Sequence, residues 1–214
     1  MEFLTLSTKS IVMRKLLSCC AILFLFAFAS SDAPISKKER KTALSFAKET
    51  KQKLLKAVKG LSDEQLKWRL NDSSWSVADC VEHLAISEKF ISDRAYNSLK
   101  EDANPARRAE MKNKDEDVIT WVTNRGNKLK APEPLRPTGQ FGSTEEALKV
   151  FVERRDKNME YLKSTQDDLR NHFVTHSALG TIDAYQMLIY MIGHTERHTA
   201  QIEAIISSPG FPKK

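Results

Sequence analysis

Glycine and proline are scarce. Seven of each in 214 residues exclude a low-complexity chain, and an apolar fraction of 41% excludes a disordered one. Three cysteines cannot build a disulfide scaffold. No repeat recurs at solenoid periods, and no segment shows the alternation of a strand over a useful length. Several catalytic signatures are also missing. No GxSxG, P-loop or GxGxxG stands before a helix. Aromatic residues are few at 8%, yet enough for a real core. What remains is one ordinary domain with an appendage at its start.

The appendage reads as an address. Lys9, Arg14 and Lys15 precede Leu16 to Ala29, an uncharged run, and Ala27-Phe28-Ala29 ends it. A basic start, a short apolar run and an A-x-A site describe a secretory signal peptide over residues 1–29. The run is shorter than the ~20 residues that span a bilayer, so cleavage is expected rather than retention as an anchor. The protein would then be exported, periplasmic or extracellular, with no stable membrane insertion. Leu16-Leu17-Ser18-Cys19 looks like a lipoprotein box but precedes the apolar run. Cleavage lowers the net charge from +6 to +4 and removes Cys19 and Cys20, leaving Cys80 alone. A lone thiol in an exported protein is expected to be buried.

The remaining residues, 30–214, read as one all-α domain. Leu44, Ala47, Leu54, Val58 and Leu61 fall at helical spacing in a stretch ending at Gly60. Ser62 to Gln65 is a capping-box pattern. Ser76, with Asp79 three residues on, opens a second long helix running to about Lys100. Ser143 caps a third, with Phe151, Arg155 and Leu162 along its buried side. A loop is expected from Asn171 to Gly180, then a last helix capped by Thr181 and reaching Ser207. Four long helices predict a four-helix bundle. The connection between the second and third, about 100–143, must be a long, partly helical crossover. Its helical piece surrounds Val118, Ile119, Trp121 and Val122.

The histidines carry the chemical signal. His194 and His198 lie four apart, on a stripe with Ala184, Met187, Met191 and Ile205 that steps by threes and fours. Both imidazoles therefore face the bundle interior. On the second helix, Cys80, His83, Ser87 and Phe90 trace a similar inward seam. Three buried imidazoles need partners. With no compensating carboxylate in view, a divalent metal satisfies them most cheaply, and three protein ligands leave a position for water or substrate. Zinc, nickel, cobalt and iron all suit such a set. His172 and His176 repeat the spacing but fall in the expected loop, where it no longer means one face. His176 is expected to be a surface or loop-anchoring residue, with the cavity mouth as the alternative. HTERH at 194–198 is not HExxH, because Glu196 points off the seam.

Ser74-Trp75-Ser76-Val77-Ala78, with Glu82-His83-Leu84-Ala85, resembles the opening of the second helix in the DinB-like superfamily. Gly193-His194-Thr195-Glu196-Arg197-His198-Thr199-Ala200-Gln201-Ile202 resembles that family's closing helix. The resemblance implies a four-helix bundle with a three-histidine metal site, usually zinc or nickel. Carried across, the ligands are again His83, His194 and His198. It also implies either a metal-dependent hydrolase or a thiol-dependent S-transferase using a low-molecular-weight thiol.

The functional expectation is therefore a metal-dependent hydrolase of a small-molecule substrate. The S-transferase and a non-enzymatic metal-binding protein remain alternatives. No catalytic residue beyond the ligands is assigned. Arg197 is placed to reach an anionic group at the rim. Glu82 and Glu196 flank ligands, Trp75 packs at the helix entrance, and Cys80 is a structural thiol. Lys37 to Lys59 make the first helix basic, but interleaved aromatics and a base-reading motif are missing, so no nucleic-acid partner is expected. Monomer and homodimer both stay open.

Overall fold

A computed structural model describes residues 35–127 and 130–213, within one compact unit, Ala33–Lys214. The export signal expected at residues 1–29 lies outside the described residues. The helices are α1 (Lys37–Val58), the short α2 (Asp63–Lys67), α3 (Val77–Ser98), α4 (Asp115–Thr123), α5 (Thr144–Ser164) and α6 (Ala184–Ile206). None of them is long and apolar enough to cross a membrane.

Local chemistry sets the helix starts. Ser36 with Glu39, Ser62 with Gln65 and Ser76 with Asp79 each form a reciprocal capping box. Two backbone N–H groups that a helix start leaves unpaired are satisfied each time. The Ser143 hydroxyl accepts from Glu146 N and starts α5. Gly60, at φ 72°, supplies the left-handed turn that releases the chain after α1.

The four long helices close a bundle. α6 packs on α1 and α3, and α5 packs on the same two. This puts α1 across from α3, and α5 across from α6. The connection from α3 to α5 is partly helical and joins neighbours. It leaves as a 3₁₀ turn at Pro105–Glu110 and lays α4 against α6. It then returns through a second 3₁₀ turn, Glu133–Leu135, beside α3. Gly193 permits the α4 contact. A Cβ there would stand 2.5 Å from Val122 Cγ1, well inside van der Waals contact.

One element differs from expectation. Residues around 171–183 form a hairpin of β1 (Phe173–His176) and β2 (Gly180–Asp183), paired from Phe173↔Asp183 to His176↔Gly180. Four-residue strands are too short for alternation to register. Thr181 therefore sits in β2 and does not cap the last helix. Asp183 does, its side chain accepting from Gln186 N.

The interior has two apolar clusters. One gathers Val118, Val122, Met187, Leu188 and Ile192; the other Leu54, Leu84, Phe151 and Ile202. Between them on the helices lies a polar layer of Thr50, Glu88, Arg155 and Thr195, all buried.

Candidate metal centre

His83 comes from the second turn of α3, whose start is fixed by the Ser76–Asp79 box. His194 and His198 come from one face of α6. The fold brings the three together. His194 Nε2 lies 3.3 Å from His83 Nε2 and 3.2 Å from His198 Nε2. His83 and His198 are buried and His194 half-buried.

The other ring nitrogens decide the chemistry of this contact. His83 Nδ1 donates to the Leu135 carbonyl at 2.7 Å, and His198 Nδ1 donates to Gln201 Oε1 at 3.0 Å. An imidazole that donates from Nδ1 while neutral offers only a lone pair at Nε2. Two lone pairs therefore face His194 Nε2. A proton on that atom can serve one of them and not both, and the Ser87 hydroxyl reaches His83 Nε2 only at a long 3.4 Å. Protonating a second ring is resisted: burial, and then repulsion among the rings and from Arg197, hold His194 and His198 well below the usual imidazole pKa. Burial lowers His83 too, with the Leu135 hydrogen bond opposing it.

A divalent cation resolves the conflict. Bonds of about 2.0–2.1 Å in tetrahedral geometry space nitrogen ligands about 3.3 Å apart, and the observed spacings match. Donation from Nδ1 to oxygen also orients each ring and raises the basicity of Nε2. The three-histidine cluster thus fits a divalent-metal site.

Trp75 forms part of the same centre. Its ring centroid stands 4.8 Å from His83 and 5.9 Å, stacked, from His198. It packs the ligands as well as the helix entrance. Gln201, Trp75 and the Leu135 carbonyl are the orienting groups. The carbonyl belongs to the long connection, where no side-chain signal could have revealed it.

A cleft of about 970 Å³ opens over the three histidines. Trp121, Tyr190 and His176 form an aromatic wall, and Arg197 lines it too. His176 is buried rather than at the surface: it anchors its own turn and also lines the cleft. Its Nδ1 accepts from Ala178 N and Leu179 N, both at 3.2 Å. Burial, aided by Arg94, lowers its pKa to about 4. His172 does not line the cleft, and its Nδ1 instead bonds the Asp168 carbonyl.

The remaining candidates have structural partners. Glu82 Oε1 accepts from the backbone N–H groups of Thr138, Gly139 and Gln140 and so fastens the long connection to α3. Glu196 pairs with Lys53 at 2.9 Å. Cys80 is buried among apolar residues, and burial pushes its thiol pKa up. It is neither a ligand nor a ready nucleophile. Phe90 departs from its expected inward position. It is 40% exposed and lines the cleft, while Ile91 is buried instead. The α3 seam turns out of the bundle where the cleft opens.

A helical bundle gripping three inward imidazoles, one from an inner helix and two from the last, defines a class of metal-binding folds. The DinB superfamily matches over residues 47–202, and the chain belongs to it. It is 27% identical over 148 residues to the uncharacterized protein YuaE of Bacillus subtilis (strain 168), covering 69% of this chain and 87% of YuaE. Among solved structures it is similar to YfiT from Bacillus subtilis, at TM-score 0.54 and 22% identity, over 80% of this chain and 88% of that one. YfiT is described as a probable metal-dependent hydrolase with an unusual four-helix bundle topology. That likeness bears on the fold.

Proposed function

We propose that this protein is a metal-dependent hydrolase of a small-molecule substrate, with zinc or nickel held by His83, His194 and His198. The observation that carries the reading is the meeting of three Nε2 atoms, two of them fixed as lone-pair donors, at an open cleft. An ion bound there would act as a Lewis acid toward a substrate oxygen or water. The chain's own residues do the rest. Leu135, Gln201 and Trp75 hold the imidazoles in place. Trp121 and Met187 exclude water and shape the cleft for a flat or apolar group. Burial raises the Tyr190 hydroxyl pKa, so it stays protonated and donates hydrogen bonds to a bound substrate. His176, with Nδ1 already accepting, carries its proton at Nε2 and is a second neutral donor. The description of YfiT as a probable metal-dependent hydrolase supports the same reaction class.

The test is a screen of esters and amides with the zinc- or nickel-loaded chain. Hydrolysis should appear, stop on chelation and be lost in His83→Ala. A metal-loaded chain that cleaves none of them, but turns over an electrophile once a small thiol is added, would replace the hydrolase with an S-transferase.

A further inference from the structure

The charges around the cleft are one-sided. Arg94, Arg125, Lys130, Arg136 and Arg197 line it, and no aspartate or glutamate among the described residues does. The chain as a whole is nearly balanced, with 34 basic and 28 acidic residues. These cations come from five places: α3, the turn after α4, the approach to the second 3₁₀ turn, the exit from that turn, and α6. None of the five forms an ion pair among the described residues.

The guanidinium groups are held by backbone carbonyls instead. Arg94 Nη2 donates to Thr175 O at 2.6 Å, and Arg125 Nη1 to Ala200 O at 2.9 Å. Arg136 Nε donates to Ala131 O, and Arg197 donates to Asn124 O and Asn127 O. Such bonds position an arginine without cancelling its charge. A guanidinium has five N–H donors, so each keeps donors to offer. Like charges gathered in a partly apolar cleft repel one another. Low-dielectric walls also focus their field on whatever enters.

We propose that the cleft selects an organic anion: a small molecule with a carboxylate or phosphate group and a flat apolar body. The charged group meets the arginines, and the body lies along Trp121 and Phe90. This assignment names the substrate class for the hydrolase reading and rests on that reading for its chemical purpose. The binding itself requires no bound metal. Arg94, Arg125 and Arg197 are binding residues in this account, and charge-assisted hydrogen bonds from them give the selectivity. The cleft volume falls in the range that accepts one ligand of ordinary organic size.

The experiment titrates benzoate, phenyl phosphate and the uncharged benzamide into the wild-type chain and into His194→Ala, by calorimetry at low salt. Both anions should bind both chains, about tenfold or more tighter than benzamide. The tighter of the two fixes the charged group. Arg94→Gln together with Arg125→Gln should weaken the anions about tenfold and leave benzamide unchanged, with the helical circular dichroism of the wild type retained. Lys130→Gln, which disturbs no observed contact, gives a milder loss in the same direction. Benzamide binding as well as benzoate would overturn the proposal. So would anion binding confined to the metal-loaded chain, because the ion and not the arginines would then hold the charge. If the chain takes up no metal yet still selects the anions, the hydrolase reading falls and this one stands.

Discussion

Two polar centres share the interior of the bundle, and they are built on opposite principles. Glu88 and His83 lie five residues apart on α3; Thr195 and His194 are neighbours on α6. Around Glu88 the donors and acceptors balance. Arg155 Nε and Nη2 donate to its two carboxylate oxygens at 2.7 and 2.8 Å. Arg155 also donates to Thr50 and Thr195, and Asn158 donates to Glu88. Around His83 the lone pairs of His83 and His198 face His194, and the one other donor nearby is the Ser87 hydroxyl, at a long 3.4 Å from His83 Nε2. The first centre closes on itself and fixes how four helices meet. The second turns three ring nitrogens toward one another, an arrangement that fits a divalent cation. A buried polar cluster is thus read from its hydrogen-bond balance rather than from its burial.

The largest expected effect breaks the balanced centre. Glu88→Ala leaves the Arg155 guanidinium buried and unpaired, which costs about 3–5 kcal/mol. Chemical denaturation should show it as a lower midpoint. Glu88→Leu combined with Arg155→Met removes both charges and should recover most of that loss. A double variant as unstable as the single one would mean the pair contributes more than mutual neutralisation.

His176 sharpens the comparison as an acceptor satisfied by the chain itself. Two backbone N–H groups serve its Nδ1 only while the ring is neutral. Its folded pKa of about 4 lies below the ordinary 6.5, so the unfolded chain binds the proton more readily. Its contribution is therefore present above pH 6.5 and lost as the pH falls toward 4, by up to about 3 kcal/mol. His176→Asn keeps an acceptor near that position without titrating. Its stability should fall less steeply than wild type between pH 6.5 and 4. Parallel acid limbs would show that His176 is not the group responsible.

The sequence displayed these features unevenly. Helix caps are local, so the starts of α3 and α5 could be placed at Ser76 and Ser143. The spacing of His194 and His198 on an apolar stripe gave their facing, and the seam on α3 gave that of His83. Features made by the long connection were hidden. The Leu135 carbonyl that fixes His83 has no side chain to betray it. The Glu82 grip on residues 138–140 joins segments more than fifty residues apart. Arg155 was legible as a residue on a buried face, but its partner Glu88 was not, because only packing of α3 on α5 pairs them. The cations of the cleft are scattered along the chain and gather only in the fold. The hairpin at 173–183 was hidden because each strand is only four residues long and the second runs straight into the cap of α6.

The central claim is that three Nε2 atoms need an ion. Metal content per chain, measured by elemental analysis after incubation with zinc or nickel and removal of the excess, tests it most directly. About one ion per wild-type chain is predicted, with most of it lost in His194→Ala while the helical circular dichroism persists. A wild-type chain that retains no metal, or a variant as metal-rich as the wild type, would contradict the account.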